Sequence, residues 1–333
     1  MILACRICGL NANYILFKMY QGRNYSIDLL KIILAFLIVL HHSPSPFHDV
    51  IQPITTCAVP AFFMISGFLI FRKEISFKRI MGNAIRIIKI FCWSLLIFYI
   101  YFWIMHKEPY IPNLKDICLM VFVNNEPLSG HLWYLMAYAY ALIVIAVLCL
   151  KGKIQYLKYI AIIGLILYFL FDIWHIYCNV PKYLTLVYCF RNFFFTAIPM
   201  MFIGVIASKW NFSRICAIVV SFIFFSICAL IEMNSFHVNH IADVYFFTIP
   251  LSFSLFFLFV NCKIKKSNIL TICGEKYSLY IYILHPIIIK LLTNKFGRDT
   301  YFVGLVSFML TLLFSVLFVA SKNRIKSIVN KYK

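Results

Sequence analysis

Residues 27–42 read IDLLKIILAFLIVLHH. An acid and a base stand three apart, Asp28 and Lys31. An unbroken apolar run then carries the chain to a histidine pair, His41 and His42. Extended to residue 47, the stretch has the roughly 20 residues that a helix needs to cross a bilayer core. Walking outward gives ten such stretches: 27–47, 51–71, 84–105, 117–150 (best centred on 131–150), 157–177, 191–208, 213–232, 241–261, 269–291 and 299–320. The run 117–124 is too short to span, and reads as re-entrant or interfacial. The fold expected is therefore all-α, a polytopic membrane helix bundle of about ten helices.

Composition agrees. Of 333 residues, 63% are apolar and 13% charged, whereas a soluble domain carries about 45–50% apolar and about 25% charged residues. A soluble enzyme, a disordered chain and a nucleic-acid-binding protein are excluded. The net charge of +20 is then a question of sides. Alternate connections hold 21 Lys and Arg against 7. Basic loops stay in the cytoplasm, so both termini are expected there. Twelve cysteines, many within apolar runs, read as small buried hydrophobes. No cysteine or histidine spacing suggests a zinc site.

Three regions follow: a tail over 1–24, a transmembrane domain over 25–320 and a basic cytoplasmic tail over 321–333. The first lacks the pattern of a signal peptide, and Met19 is an alternative start.

An ionisable side chain at the bilayer centre costs about 2.5–3.5 kcal/mol on insertion scales, so those present point to function. At about 100° per residue, Asp28, Lys31 and His42 share one helix face, and His41 points away. Lys31 and His42 are about 16 Å apart along the axis. They serve two ends of one cavity, or else Lys31 pairs with Asp28 and snorkels while the histidines sit at the interface. In the second stretch Pro60 permits a kink and Gly67 a close helix approach. Arg72, Lys73, Lys78 and Arg79 follow it, and Arg86 and Lys89 lie inside the third helix. They are either positive-inside anchors or an electropositive mouth for a polyanion, with Arg86 and Lys89 the better candidates. His131, Trp133 and Tyr134 open the fourth helix, where an aromatic belt accounts for the rings. Arg191 opens the sixth. In the ninth, Ser278 and His285 share a face, and His285 precedes the kink-prone Pro286.

In this order the segments resemble the acyltransferase-3 family of integral membrane acyltransferases. Ile27-Asp28, Leu30-Lys31 and His42 are similar to its "ID-x-L-R-x(10)-H" start. Phe62, Phe63, Ser66 and Gly67 resemble "F-F-x-x-S-G", after Ala58 in place of a glycine. Asn83 and Arg86 stand at its "R-x-x-R", His131 to Leu135 at "H-L-W-[FY]-L", and Gly274 to His285 at "G-x-x-x-S-L-x-I-Y-x-x-H". Two positions depart: Lys31 replaces an arginine, losing its bidentate fork, and Asn83 replaces the first arginine of the pair.

The resemblance implies an acyl-CoA donor at the cytoplasmic side, with no permanently bound cofactor and no metal, and a glycan or lipid-linked glycan hydroxyl as acceptor. His42 suits the general base, with Asp28 and Lys31 as further catalytic candidates. A positioned base is worth about 10²–10⁴-fold, and histidine titrates near neutral pH. Lys31, Arg86 and Lys89 would hold CoA phosphates. Ser66, Trp133, Arg191 and His285 are candidate substrate-binding residues, Arg191 being equally an interface anchor. The expected protein is a multi-pass O-acetyltransferase of the bacterial cytoplasmic membrane, with acyl-CoA, glycan and lipid bilayer as partners and no nucleic acid. The alternative is a transporter or flippase of lipid-linked sugars.

Overall fold

The computed structural model describes residues 23–46, 48–124, 126–170, 191–207, 215–236, 246–262, 264–297 and 302–331. The tail before residue 23 with Met19, residues 332–333 of the other tail, and the parts of the expected spans at 47, 125, 171–177, 208, 213–214, 241–245 and 299–301 lie outside them.

The described residues form helices and their connections, without strands. In chain order these are α1 (Tyr25–His42), α2 (His48–Thr55), α3 (Ala58–Phe71), α4 (Phe77–His106), α5 (Leu114–Val123), α6 (Trp133–Leu150), α7 (Leu157–Tyr168), α8 (Ile198–Ala207), α9 (Ile215–Phe236), α10 (Thr248–Asn261), α11 (Ile269–Lys276), α12 (Ser278–Phe296) and α13 (Val303–Lys331). Among the described residues, six segments, including α1, α4 and α6, are long and apolar enough to cross a membrane.

Local chemistry sets the boundaries. Asn24 caps α1 by accepting the Ile27 N–H, and α1 stops at Ser43, ahead of Pro44 and Pro46, because a residue before proline is pushed out of the α region. Asn113 and Asp116 form a capping box at the start of α5, which ends on Asn124 in the left-handed region at φ 59°. The short run 117–124 is thus a separate ten-residue helix, and the span proper begins at Gly130.

Two expectations shift. The 269–291 stretch is two helices, α11 and α12, meeting at Tyr277. Asn268 and Thr271 form a second capping box that starts α11. The break lies at Tyr277, and α12 runs on through Pro286. In the second stretch the chain breaks at Thr56 and Cys57. Pro60 falls in the first turn of α3, where a missing N–H costs little.

Packing sorts the helices into inner and outer. Two-thirds of the 50–71 window and over half of that in 130–150 are buried inside the protein, but only 17% of the windows in α4 and α9. Trp93, Trp103, Phe224 and Leu317 point outward from α4, α9 and α13. Large apolar side chains on an outer face suit lipid. The inner set is held by close backbone contact. A Cβ on Gly67 would run into the main chain of Met201, and one on Gly204 into that of Met64, so α3 and α8 cross backbone to backbone, as small residues allow in membranes. Gly274 lets α11 lie equally close on the Asp28 main chain of α1.

Candidate active site

A cavity of about 500 Å³ lies among α1, α3, α4, α6 and the α11–α12 junction. Charge gathers at one end, where Lys31, Lys73, Arg79, Asn83, Arg86 and Glu275 line the wall. Of these, Lys73 and Arg79 come from a connection that the count of basic residues expects on the cytoplasmic side, and Lys31 and Arg86 from helix ends next to such connections. Elsewhere the lining is apolar, with Ile38, Val59, Phe62 and Ile65, and carries the hydroxyls of Ser66, Tyr134, Tyr138 and Tyr282.

An ion cluster builds the charged end. Asp28 is buried, and Arg23 Nε donates to its Oδ2 at 2.8 Å while Lys31 Nζ lies 3.0 Å from its Oδ1. Arg23 also pairs with Glu275 on α11. Its guanidinium is held above its ordinary range by that hydrogen bond to Glu275 first and by Asp28 after it, against desolvation. Asp28 and Lys31 therefore do pair, and Lys31 lines the cavity as well. Asp28 lies about 21 Å along α1 from His42. Its contacts make it the seat of Lys31 and Arg23.

Arg86 and Lys89 are both exposed, but only Arg86 lines the cavity. Arg79, one turn before Asn83, takes a place on the wall instead. Its Nη2 donates to Ile70 O at 2.9 Å, and its buried Nε has no hydrogen-bond partner. The motif position lost to Asn83 is thus flanked on one helix face by two guanidiniums. Ser66 donates to Phe62 O at 2.9 Å, and the side chains of Tyr134 and Tyr138 both reach it.

Tyr282 closes the far side. Its ring stands 5.4 Å from Tyr134, its hydroxyl donates to the main-chain carbonyl of His131, and it lines the cavity. Past it lies a row of imidazoles from four segments. His131, His285, His42, His41 and His48 follow one another at ring-centroid separations of 5.2, 5.1, 5.0 and 6.3 Å. His42 is exposed, His285 fully buried, and the others are between. His41 Nδ1 meets Thr55 Oγ1 at 3.0 Å, and His131 Nδ1 meets Ser129 Oγ at 2.8 Å. Arg191 acts electrostatically on His41 and His42, and its main-chain oxygen accepts from Asn124 Nδ2 at 3.2 Å. Trp133 packs on Phe63 at 6.2 Å and does not line the cavity.

The structure thus gathers Lys31, Arg86 and Ser66 on one cavity, and His42, Arg191 and His285 beyond Tyr282. Lys89 and Trp133 join neither group. The sequence placed Arg79 in a possible electropositive mouth but favoured Arg86 and Lys89 over it, and it held Tyr282 only as a motif position. Tyr138 and the part of His48 in the row carried no signal. Among the described residues no three His, Cys, Asp or Glu side chains are grouped to hold a metal ion.

Helices of membrane-crossing length packed around a cavity with a cationic mouth are the architecture of a multi-pass membrane protein. A family model described as an acyltransferase domain, that of acyltransferase-3, matches residues 24–320. The chain belongs to that family and is a membrane acyltransferase. Neither a curated protein nor a solved structure matches it significantly.

Proposed function

We propose that the protein transfers an acyl group, acetyl in the simplest case, from cytoplasmic acyl-CoA to a hydroxyl of a cell-surface glycan or its lipid-linked precursor. The observation that carries this is the two-ended arrangement. A cavity with Lys31, Lys73, Arg79 and Arg86 at its mouth ends at Tyr282, and an exposed histidine, His42, lies beyond. Phosphates of CoA suit the cationic end. The thioester then lies along the apolar wall beside the hydroxyls of Ser66, Tyr134 and Tyr138. These are donors placed for a carbonyl oxygen that gains charge.

His42 acts as the general base on the acceptor hydroxyl, Arg191 orients the acceptor, and the freed thiolate leaves through the cationic mouth. In this reading the mouth faces the cytoplasm, both termini lie on that side, and the acyl group passes Tyr282 within the bundle. The membrane is the bacterial cytoplasmic membrane, crossed about ten times.

The test is the O-acyl content of the surface glycan, by NMR or mass spectrometry, in a deletion strain, its wild-type complement and a His42→Ala complement with matched membrane levels. Loss of one O-acyl signal, restored by wild type and not by His42→Ala, is expected. An unchanged glycan in all three would exclude that glycan as the acceptor.

A further inference from the structure

His285 is fully buried, one turn beyond Tyr282 on α12. Its Nδ1 faces two main-chain carbonyls, Tyr282 O at 2.7 Å and Ile281 O at 3.2 Å. A carbonyl only accepts, so Nδ1 carries the hydrogen and Nε2 holds the lone pair. That Nε2 is buried and has no hydrogen-bond partner. Leaving a buried acceptor unsatisfied is costly, so this lone pair favours a neighbouring donor that can turn toward it.

Two imidazoles neighbour the ring. His131 stands edge-on at 76°, with Nδ1 on Ser129 Oγ and its own Nε2 likewise buried and without a hydrogen-bond partner, so it has no exposed edge to offer an acceptor. His42 lies at 5.1 Å and 31° and has the exposure that His285 lacks. A modest turn of the exposed His42 ring brings one of its N–H groups to Nε2, and catalytic hydrogen bonds commonly tighten only when substrate is bound.

We propose that His285 is the positioning residue of the reaction: its Nε2 accepts a ring N–H of His42 and so presents the other His42 nitrogen, as a lone pair, to the acceptor hydroxyl. This rests on the reading of His42 as the base, and supplies the third group that orients a base. The hydroxyl proton passes to His42 as the O–C bond forms. It leaves on the CoA sulfur once the C–S bond breaks. His285 keeps its Nδ1 hydrogen throughout. The charged and titratable groups facing the pair are His41 and Arg191 on the His42 side, His48 beyond His41, and His131 and Tyr282 on the His285 side.

Two near-isosteres separate positioning from packing. His285→Asn keeps a donor for the two carbonyls and removes the acceptor at the Nε2 place. His285→Gln puts an amide oxygen within reach of that place. Initial rates are read in inside-out membrane vesicles of a host that makes the acceptor, with labelled acetyl-CoA and label counted in the glycan-lipid fraction. Thermal unfolding in detergent confirms the fold.

With a folded protein, His285→Asn is expected to lower kcat about 10²-fold at unchanged KM for acetyl-CoA. His285→Gln is expected to recover most of that loss. In a His42→Ala background, His285→Asn is expected to cost nothing further, since residues that act as a unit are non-additive. A folded His285→Asn with wild-type kcat would overturn the inference. So would a His285→Gln no better than Asn, or a double variant that loses the product of the two single losses. A fully active His42→Ala, or no transfer by the wild-type protein, would instead overturn the parent reading and this one with it.

Discussion

The hydroxyl of Tyr282 donates to the main-chain carbonyl of His131, tying α12 to the turn that opens α6. The ring so held lies between the cavity and the imidazole row. Closing a site against water protects a reactive group from hydrolysis. Tyr282→Ala should therefore raise acceptor-independent hydrolysis of acyl-CoA about tenfold, and Tyr282→Phe, which keeps the ring, should raise it less. Release of free CoA in vesicles without acceptor measures this. No rise with the Ala variant would show that Tyr282 is not the partition.

Arg79 and Arg86 line the cavity, and Lys89 does not. A hydrogen bond to a charged group is worth about 1.5–3 kcal/mol. Arg79→Gln and Arg86→Gln should each raise KM for acyl-CoA about 10–100-fold, more at low salt than at high. Lys89→Gln should change it less than about twofold, as for an exposed charge. Equal effects at all three positions would locate the phosphates outside this cavity.

Gly274 is where α11 meets α1. An added methyl meets the Asp28 carbonyl and the Ile32 nitrogen, neither of which can rotate away. Gly274→Ala should destabilise the protein by about 1–3 kcal/mol and also weaken acyl-CoA binding, because it pushes Glu275 away from Arg23 and disturbs the seat of Lys31. Gly82→Ala, with open space around the new methyl, is the control. Detergent unfolding and membrane levels read both. A neutral Gly274→Ala would deny that the contact is tight.

Glu126, in the turn before α6, is 2% exposed, and burial pushes its carboxyl above its ordinary value near 4.5 while the Leu128 and Ser129 N–H groups oppose that. A carboxyl raised on folding binds its proton more tightly in the folded state. Its contribution is thus present below the ordinary value and is lost as pH rises through the window above it. Glu126→Gln should abolish that fall. Unfolding temperatures of the two proteins from about pH 4 to about pH 8 should diverge upward in favour of the variant. Parallel curves would refute it.

Much of the fold follows from hydropathy alone, because a membrane helix has to keep about twenty apolar residues together. Local charge logic also held: Asp28 and Lys31, three apart, do pair. Elsewhere the decisive contacts join residues far apart in sequence. The helix break falls at Tyr277, and Pro286 lies inside the helix that follows. His41 does leave the face of His42, as helical spacing requires, but what it meets is Thr55, with His48 nearby. No periodicity within α1 foretells that α2 brings them there. His131 and His285 were each visible as single polar residues, yet their place beside His42 is set by how α1, α6 and α12 pack.

The reciprocal glycine contact of α3 with α8 has a mechanical consequence. With Gly67 on the Met201 main chain and Gly204 on that of Met64, no side chains lie between the two backbones at these points to act as bearings. Sliding or tilting one helix on the other has to break both contacts together. These helices are a keel. In the proposed reaction the acyl group would then pass without the rocking of halves by which many transporters move their cargo.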